Sequence, residues 1–430
     1  MFQLPLSGKM TKSNKVIVSN FSYMALLQFI VLITPLLTYP YLVNTLGSEL
    51  YGWVILAQVV ASYASIIVGF GFNGVTAKEV AVHAENPEKI SEIISSVMII
   101  RIVIWIVSLL LYCLIIMAIP AYREYRWLFL FSFGCTFNEL LFPVFYFQGI
   151  EKMGYITWIT LLIRIVSVAG VFVFVHVPSD YLLVPVLNAS SFIIGGIFSL
   201  YVIFVQNKVR FRLPSFQTMK YYFKDAGTIF LTDIISTIKD KLNYIIIGIC
   251  VPMSQILIYD LGSKITGLLS KPAYILAITL YPKISKTANI RLFKFGIWSC
   301  ALCTLAIVAV CCCFLPEIIS FFIREDIDTT PIRLYLAAPL FLGVSMFVAY
   351  DFLTAFGHVR YILKSIIVTT CVYVSLMVIA YCTGMLHSVL PFVVITVLSY
   401  LAELIYRIIV SRKIYKQNDN KTVSQVGNPQ

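Results

Sequence analysis

The chain has 430 residues, of which 60% are hydrophobic and 12% charged, and its mean hydropathy is +0.91. Soluble domains keep about a quarter of their residues charged, so this composition excludes a water-soluble protein and points to lipid as the solvent. The net charge of +12 finds no basic soluble face, which argues against nucleic acid as a partner. Topology and a cationic membrane interior remain as places for that charge.

Apolar runs of roughly 20 residues recur from end to end, each able to cross about 30 Å of hydrocarbon as a helix. They predict an all-α fold, because lipid offers no partner to backbone groups outside a helix. In chain order the expected spans are 21–43, 52–72, 96–118, 126–148, 155–177, 183–205, 226–250, 257–280, 293–315, 333–356, 363–383 and 388–410. The polar residues 1–20 precede a full-length span and do not read as a cleaved signal peptide. Pro35 and Pro40 are expected to kink or loosen span 1, and Gln58, Ser62 and Ser65 share one face of span 2. Tight helix packing accounts for those polar residues as well as a cavity wall does. The ten cysteines lie mostly inside apolar runs and read as small core residues, not a disulfide framework. His83, His176, His358 and His387 lie at or near loops and form no metal or nucleophile constellation.

Orientation follows from Lys and Arg in short loops. With the N-terminus inside, twenty-one basic residues fall in the inner segments, against only Arg123, Arg126, Arg324 and Arg333 in the outer ones. The expectation is therefore a polytopic membrane protein of twelve helices with N- and C-termini cytoplasmic. The longest inner connection, 206–225, is basic and contains Pro214, so it divides an N-lobe (1–205, helices 1–6) from a C-lobe (226–410, helices 7–12), with a polar tail at 411–430. An internal echo agrees with two six-helix lobes. Span 4 leaves through Tyr146-Phe147-Gln148-Gly149 before Tyr155-Ile156; span 10 leaves through Thr354-Ala355-Phe356-Gly357 before Tyr361-Ile362.

The seven remaining basic residues lie inside spans: Arg101, Arg164, Lys239, Lys241, Lys264, Lys271 and Arg407. Glu139, Asp233, Asp240, Asp260, Asp351 and Glu403 join them. Each costs at least about 2.5 kcal/mol at mid-bilayer unless it faces protein or water. In span 7, Asp233, Ser236, Thr237, Asp240, Lys241 and Tyr244 fall on one side at helical periodicity. In span 8, Asp260, Ser263, Lys264, Gly267, Lys271 and Tyr274 share a face. Two charged stripes through the membrane imply a water-filled cavity. Mutual pairing accounts for Asp260 and Lys264 equally well, at acid-first i,i+4 spacing. The Glu403–Arg407 pair near the end of span 12 is expected to snorkel to the interface, and Arg101, a turn inside span 3, is close enough to the end to do so too. Arg164, Lys241 and Lys271 are the cations expected on a substrate path, with Lys264, Gln58 and Tyr244 beside them as substrate-binding candidates. Asp233, Asp240, Asp260, Glu139 and Asp351 are the candidates for coupling or gating. A cationic cavity suits an anionic cargo, and a phosphate or pyrophosphate head group meets both the bidentate Arg and the point charge of Lys.

Three stretches add a resemblance. They are Pro35-Leu36-Leu37-Thr38-Tyr39-Pro40-Tyr41-Leu42 with Leu46-Gly47-Ser48-Glu49-Leu50-Tyr51-Gly52; Gly69-Phe70-Gly71-Phe72-Asn73-Gly74 leading into Ala77-Lys78-Glu79; and Phe147-Gln148-Gly149-Ile150-Glu151-Lys152-Met153. Together the chain resembles the polysaccharide transporter family, the Wzx-type O-antigen flippases of the multidrug/oligosaccharidyl-lipid/polysaccharide exporter superfamily. The resemblance implies a V-shaped pair of six-helix lobes in the bacterial inner membrane, opening alternately to its two sides. It implies an undecaprenyl-pyrophosphate-linked glycan as substrate, moved from the cytoplasmic to the periplasmic leaflet. Expected partners are that glycan, membrane lipids and other polysaccharide-assembly membrane proteins. No cofactor is expected, beyond coupling to H+ or Na+. Family members often carry an acid before the Gly-Phe of the second motif, where this chain has Gly69.

A cation-coupled multidrug exporter of the same superfamily is the nearest alternative, and should favour acids over bases in its cavity. A membrane-bound polysaccharide polymerase or acyltransferase is the other. Polymerases usually have a long periplasmic loop and acyltransferases a histidine-centred site, whereas the outer loops here are short and the histidines scattered.

Overall fold

A computed structural model describes residues 12–426 except 288, 289, 326 and 359; the side chains of 12–18, 21, 232, 236, 239, 240, 282, 287 and 416–426 also lie outside the description. Among the described residues all regular structure is helical. The elements that matter for function are α1 (Lys12–Leu46), α2 (Ser48–Gly69), α3 (Phe72–Val82), α4 (Pro87–Ala118), α5 (Met153–Phe174) and α6 (Leu183–Tyr201). They are followed by α7 (Phe216–Cys250), α8 (Ser254–Leu269), α9 (Lys271–Thr287), α10 (Ile290–Cys313), α11 (Arg360–Cys382) and α12 (Val389–Val426).

Ten helical stretches among the described residues are long and apolar enough to cross a membrane. They are Ser22–Leu46, Ser48–Val82, Pro87–Ala118, Arg126–Gly149, Met153–Phe174, Pro178–Gln206, Ile290–Cys313, Thr330–Thr354, Arg360–Cys382 and Val389–Tyr415. The expected spans 226–250 and 257–280 are helical but not among the ten. Charge accounts for the first: α7 includes Asp225, Asp233, Lys239, Asp240 and Lys241, and among the described residues Lys241–Cys250 is a shorter apolar helix. The second of these segments is not one helix. It breaks at Ser270, because Pro272 has no N–H to give the carbonyl of Leu268. Lys271 therefore stands at the start of a second helix, after the one that carries Asp260 and Lys264.

Two spans are segmented. Arg126–Gly149 passes through a 3-10 turn at Phe133–Thr136 and restarts after Pro143, and Thr330–Thr354 ends in a π-helical turn at Ala349–Thr354. These are the two members of the internal echo. By contrast, α1 runs unbroken through Pro35 and Pro40.

The chain divides into two compact units, Met1–Lys241 and Leu242–Gln430, so the division falls inside α7. The first unit is centred on Phe72, Ile93, Val97, Phe145, Phe147 and Ile159, and the second on clusters around Phe347, Ala277 and Cys300 and around Val348, Phe352 and Leu353. Between membrane helices, where lipid is as apolar as the side chains, close packing replaces hydrophobic burial as the cohesive term. Gly195 and Gly196 on α6 show it: a Cβ there would lie 2.3 Å from Ile163 and 2.4 Å from Leu141.

Candidate functional site

In the first unit the site is built around the break between α2 and α3. Phe70 ends α2 with a left-handed backbone (φ 44°), and Gly71 follows at φ 71°. For a residue with a Cβ that conformation costs about 1–2 kcal/mol. The ring of Phe70 stacks on both Phe223 and Phe230, seven residues apart on α7, with centroids at 4.5 and 4.6 Å. Aromatic pairs of this kind contribute about 0.5–1.5 kcal/mol each, enough to offset the strain. A Cβ on Gly71 would sit 2.7 Å from the Phe230 nitrogen and 2.8 Å from the Ala226 oxygen. The glycine is what lets the backbone of α7 lie against the break.

Beneath it lies Arg101, 1% exposed. It donates from Nη1 to the Glu139 carbonyl at 2.6 Å and from Nη2 to Asn73 Oδ1 at 3.1 Å, with Glu139 Oε2 at 3.9 Å. The rings of Phe72 and Phe145 cover the guanidinium at 5.7 and 5.5 Å. Arg101 does not snorkel as its place near the start of span 3 suggested. Asn86 caps α4 by accepting from the Glu88 and Lys89 nitrogens, both at 3.1 Å, so the helix begins at Pro87. The Asn-Pro signal for that start was present in the sequence. What keeps the guanidinium from water is its enclosure by protein, between the rings of Phe72 and Phe145.

Above this anchor is a cavity of about 350 Å³ lined by Ser65, Gly69, Asn73, Glu139, Asp233 and Thr237, among others. Two of the predicted coupling residues, Glu139 and Asp233, thus share one cavity. A Cβ added to Gly69 would meet Glu139 Oε2 at 3.2 Å, so the carboxylate from span 4 occupies the space beside position 69. Farther along α7, Lys241 donates to Ser62 on α2 at 2.6 Å, and Ser65 and Cys135 lie 3.1 Å apart. The polar face of span 2 and the stripe of α7 meet here. Gln58 is exposed, and the side chain of Asp240 lies outside the described residues.

Arg164 stands apart from this cluster, facing Thr34 across the contact of α5 with α1. No hydrogen bond or ion pair reaches it from the described residues, and its Nε is buried.

In the second unit, Tyr244 donates to Asp260 Oδ1 at 3.0 Å, and Lys264 pairs with Asp260 Oδ2. Behind them Asn243 donates to Tyr259 (2.7 Å) and Thr396 (2.9 Å) and accepts from Tyr373 (2.5 Å), tying α7 to α8, α11 and α12. Tyr244, Asp260 and Lys264 are thus brought together. Lys271 is exposed, with Nζ 6.0 Å from the Tyr274 ring centroid. Asp351 is 0% exposed, within the π-helical turn, and neither carboxyl oxygen has a hydrogen-bond partner among the described residues.

Glu403 and Arg407 are a second correction. They pair at 2.7 Å, each 5% exposed, and Arg407 also donates to Ser365 Oγ (3.0 Å), the Ser345 carbonyl (3.0 Å) and Ser345 Oγ (2.8 Å). Serines from two neighbouring helices satisfy the guanidinium inside the unit, so the pair stays buried instead of snorkelling. Among the described residues no three His, Cys, Asp or Glu side chains converge as metal ligands.

The fold is shared with transporters of the MOP superfamily. An inward-facing multidrug resistance MATE family transporter superimposes with a TM-score of 0.65 over 90% of this chain and 99% of that one, at 14% identity. The particular family comes from sequence: the model described as polysaccharide biosynthesis protein matches residues 17–288, and the chain belongs to that family. A protein of Escherichia coli (strain K12) assigned as an O-antigen transporter is 24% identical over 275 residues, 64% of this chain and 66% of that protein. One of Shigella dysenteriae, assigned likewise, is 25% identical over 218 residues, 50% of this chain and 54% of its own length. The match therefore spans less than two thirds of either relative. Both are assigned as transporters, not as enzymes.

Proposed function

We propose that the chain is a flippase of the bacterial inner membrane. It moves an undecaprenyl-pyrophosphate-linked oligosaccharide, an O-antigen or similar repeat unit, from the cytoplasmic to the periplasmic leaflet by alternating access. Twelve spans complete this reading, with α7 and the α8–α9 pair counted among them, six in each lobe about the 206–225 connection and both termini cytoplasmic. The observation that carries it is Arg164, an intramembrane cation with no partner among the described residues, in a chain whose relatives are assigned as O-antigen transporters. An intramembrane charge without a partner marks a substrate path by default, and an anionic head group is the cargo that would satisfy it. Lys241, Lys264 and Lys271 supply further positive charge to the pyrophosphate in this reading, with Gln58 and Tyr244 available to the sugars.

Coupling to H+ or Na+ is assigned to Glu139 and Asp233, which share the cavity at the α2–α3 break. Glu139 would there supply the acid that family members often carry where this chain has Gly69. Asp240, Asp260 and Asp351 are further coupling sites in the proposal, and other polysaccharide-assembly proteins are its membrane partners.

Deleting the gene tests the reading: surface polysaccharide should disappear while lipid-linked repeats accumulate on the cytoplasmic face. Unchanged polysaccharide in a strain with no second flippase would remove it. The carboxylate pair is the one observation that favours a cation-coupled drug exporter instead. That rival requires the deletion to raise sensitivity to cationic drugs with polysaccharide intact.

A further inference from the structure

The contact of α1 with α5 holds a cavity of about 330 Å³, lined by Phe29, Ile33 and Leu37 from α1 and Leu161, Arg164 and Ile165 from α5, among others. Phe29, Leu37 and Ile165 are 58, 53 and 55% exposed, so the groove is open along its rim. Its other polar side chain, Thr34, donates to its own helix at the Ile30 carbonyl, 2.8 Å away. The guanidinium of Arg164 is therefore the one polar group of the lining left to a ligand, since no described residue bonds to it. Apolar walls select a hydrocarbon chain. A guanidinium set among them selects an anionic group attached to that chain, and its planar fork suits a phosphate.

Depth decides between sources of such a lipid. Arg164 lies about 16 Å from the start of α5 by the helical rise, near the middle of a hydrocarbon layer about 30 Å thick. A bilayer phospholipid keeps its phosphate at the interface and does not reach that level. A phosphate at Arg164 belongs to a lipid partway across the membrane.

We infer that the α1–α5 groove binds the carrier lipid in transit, with the first part of the polyprenyl chain along Phe29–Leu37 and its phosphate on Arg164. This rests on the flippase reading and adds to it a track for the lipid tail, which would otherwise remain in the bilayer.

The test uses the full chain reconstituted in phosphatidylcholine vesicles with a polyprenyl diphosphate bearing a photoactivatable diazirine near the head of its chain. Label is expected on peptides containing Phe29–Leu37 and Leu161–Ile165, competed by unlabelled polyprenyl diphosphate. Arg164→Ala should lower it about tenfold and Arg164→Lys about threefold. Leu37→Trp, which fills the groove from an exposed position and leaves Arg164 in place, should also lower it in protein that stays monodisperse. Equal labelling of the Arg164→Ala protein, or equal competition by phosphatidylglycerol, overturns the assignment; the latter would make the groove a phospholipid site. Specific label on other helices overturns the groove but leaves the flippase reading standing. Absence of specific label anywhere on the wild-type chain, from the carrier lipid or its glycosylated form, counts against both.

Discussion

Arg101 donates to the main-chain carbonyl of Glu139 at 2.6 Å while standing 3.9 Å from that residue's carboxylate. The bond to the carbonyl fixes the backbone of a segmented span. The longer approach leaves the carboxylate facing the cavity it shares with Asp233. One cation thus positions the acid without consuming it.

Arg101→Ala should lower stability by about 3–5 kcal/mol, because it removes a buried charge whose partners stay behind. Thermal unfolding of the detergent-solubilised protein is the measurement. A melting temperature unchanged from wild type would show that Asn73 and Glu139 find other partners.

Glu139→Gln and Asp233→Asn keep shape and lose charge. Each should leave the protein folded and make transport in vesicles insensitive to an imposed proton or sodium gradient. Gradient-driven transport that survives both changes would place coupling elsewhere, with Asp351 the next residue to test.

Gly71→Ala should be severe, since the new Cβ would lie 2.7 Å from backbone and the position needs positive φ. Gly267→Ala is the control, because nothing lies within 4 Å of a Cβ there. The two should differ clearly in yield of monodisperse protein; equal yields would mean that α7 does not depend on this contact.

Breaking the Glu403–Arg407 pair by Arg407→Ala should cost about 3–5 kcal/mol, whereas the apolar double replacement Glu403→Leu with Arg407→Met should be nearly neutral. A double-mutant cycle on melting curves measures this. If the double replacement is as damaging as the single, the serines around the pair carry the effect.

Lys241→Ala should reduce surface polysaccharide more than Lys271→Ala, although both read alike in the sequence. Lys241 is held by Ser62 within the first unit, whereas Lys271 begins a helix in an exposed position. Comparable losses on complementation would show that the two lysines serve the substrate path equally.

The ten apolar spans were legible because a membrane helix must be long and uniformly apolar, and that leaves a trace in composition alone. Burial was not legible. Position along a span does not say whether a charge faces lipid or protein, and Arg101 and Arg407 are enclosed by residues distant in sequence, Asn73 and Glu139 around the first and Ser345 and Ser365 around the second. Span 8 is interrupted at Ser270, two residues before Pro272, so Asp260 and Lys264 stand on one helix and Lys271 at the start of the next. The meeting of Glu139 with Asp233 depends on long-range packing at Gly69 and Gly71, and no local pattern announces it.

The glycine contact also bears on how the chain is made. An arriving helix with the charge of α7 partitions poorly into lipid by itself. Its uptake should therefore wait for earlier helices to present the α2–α3 break, where Phe70 and Gly71 receive it. In a chain truncated after Cys250, glycosylation mapping should find α7 inserted with Gly71 and left out with Gly71→Trp.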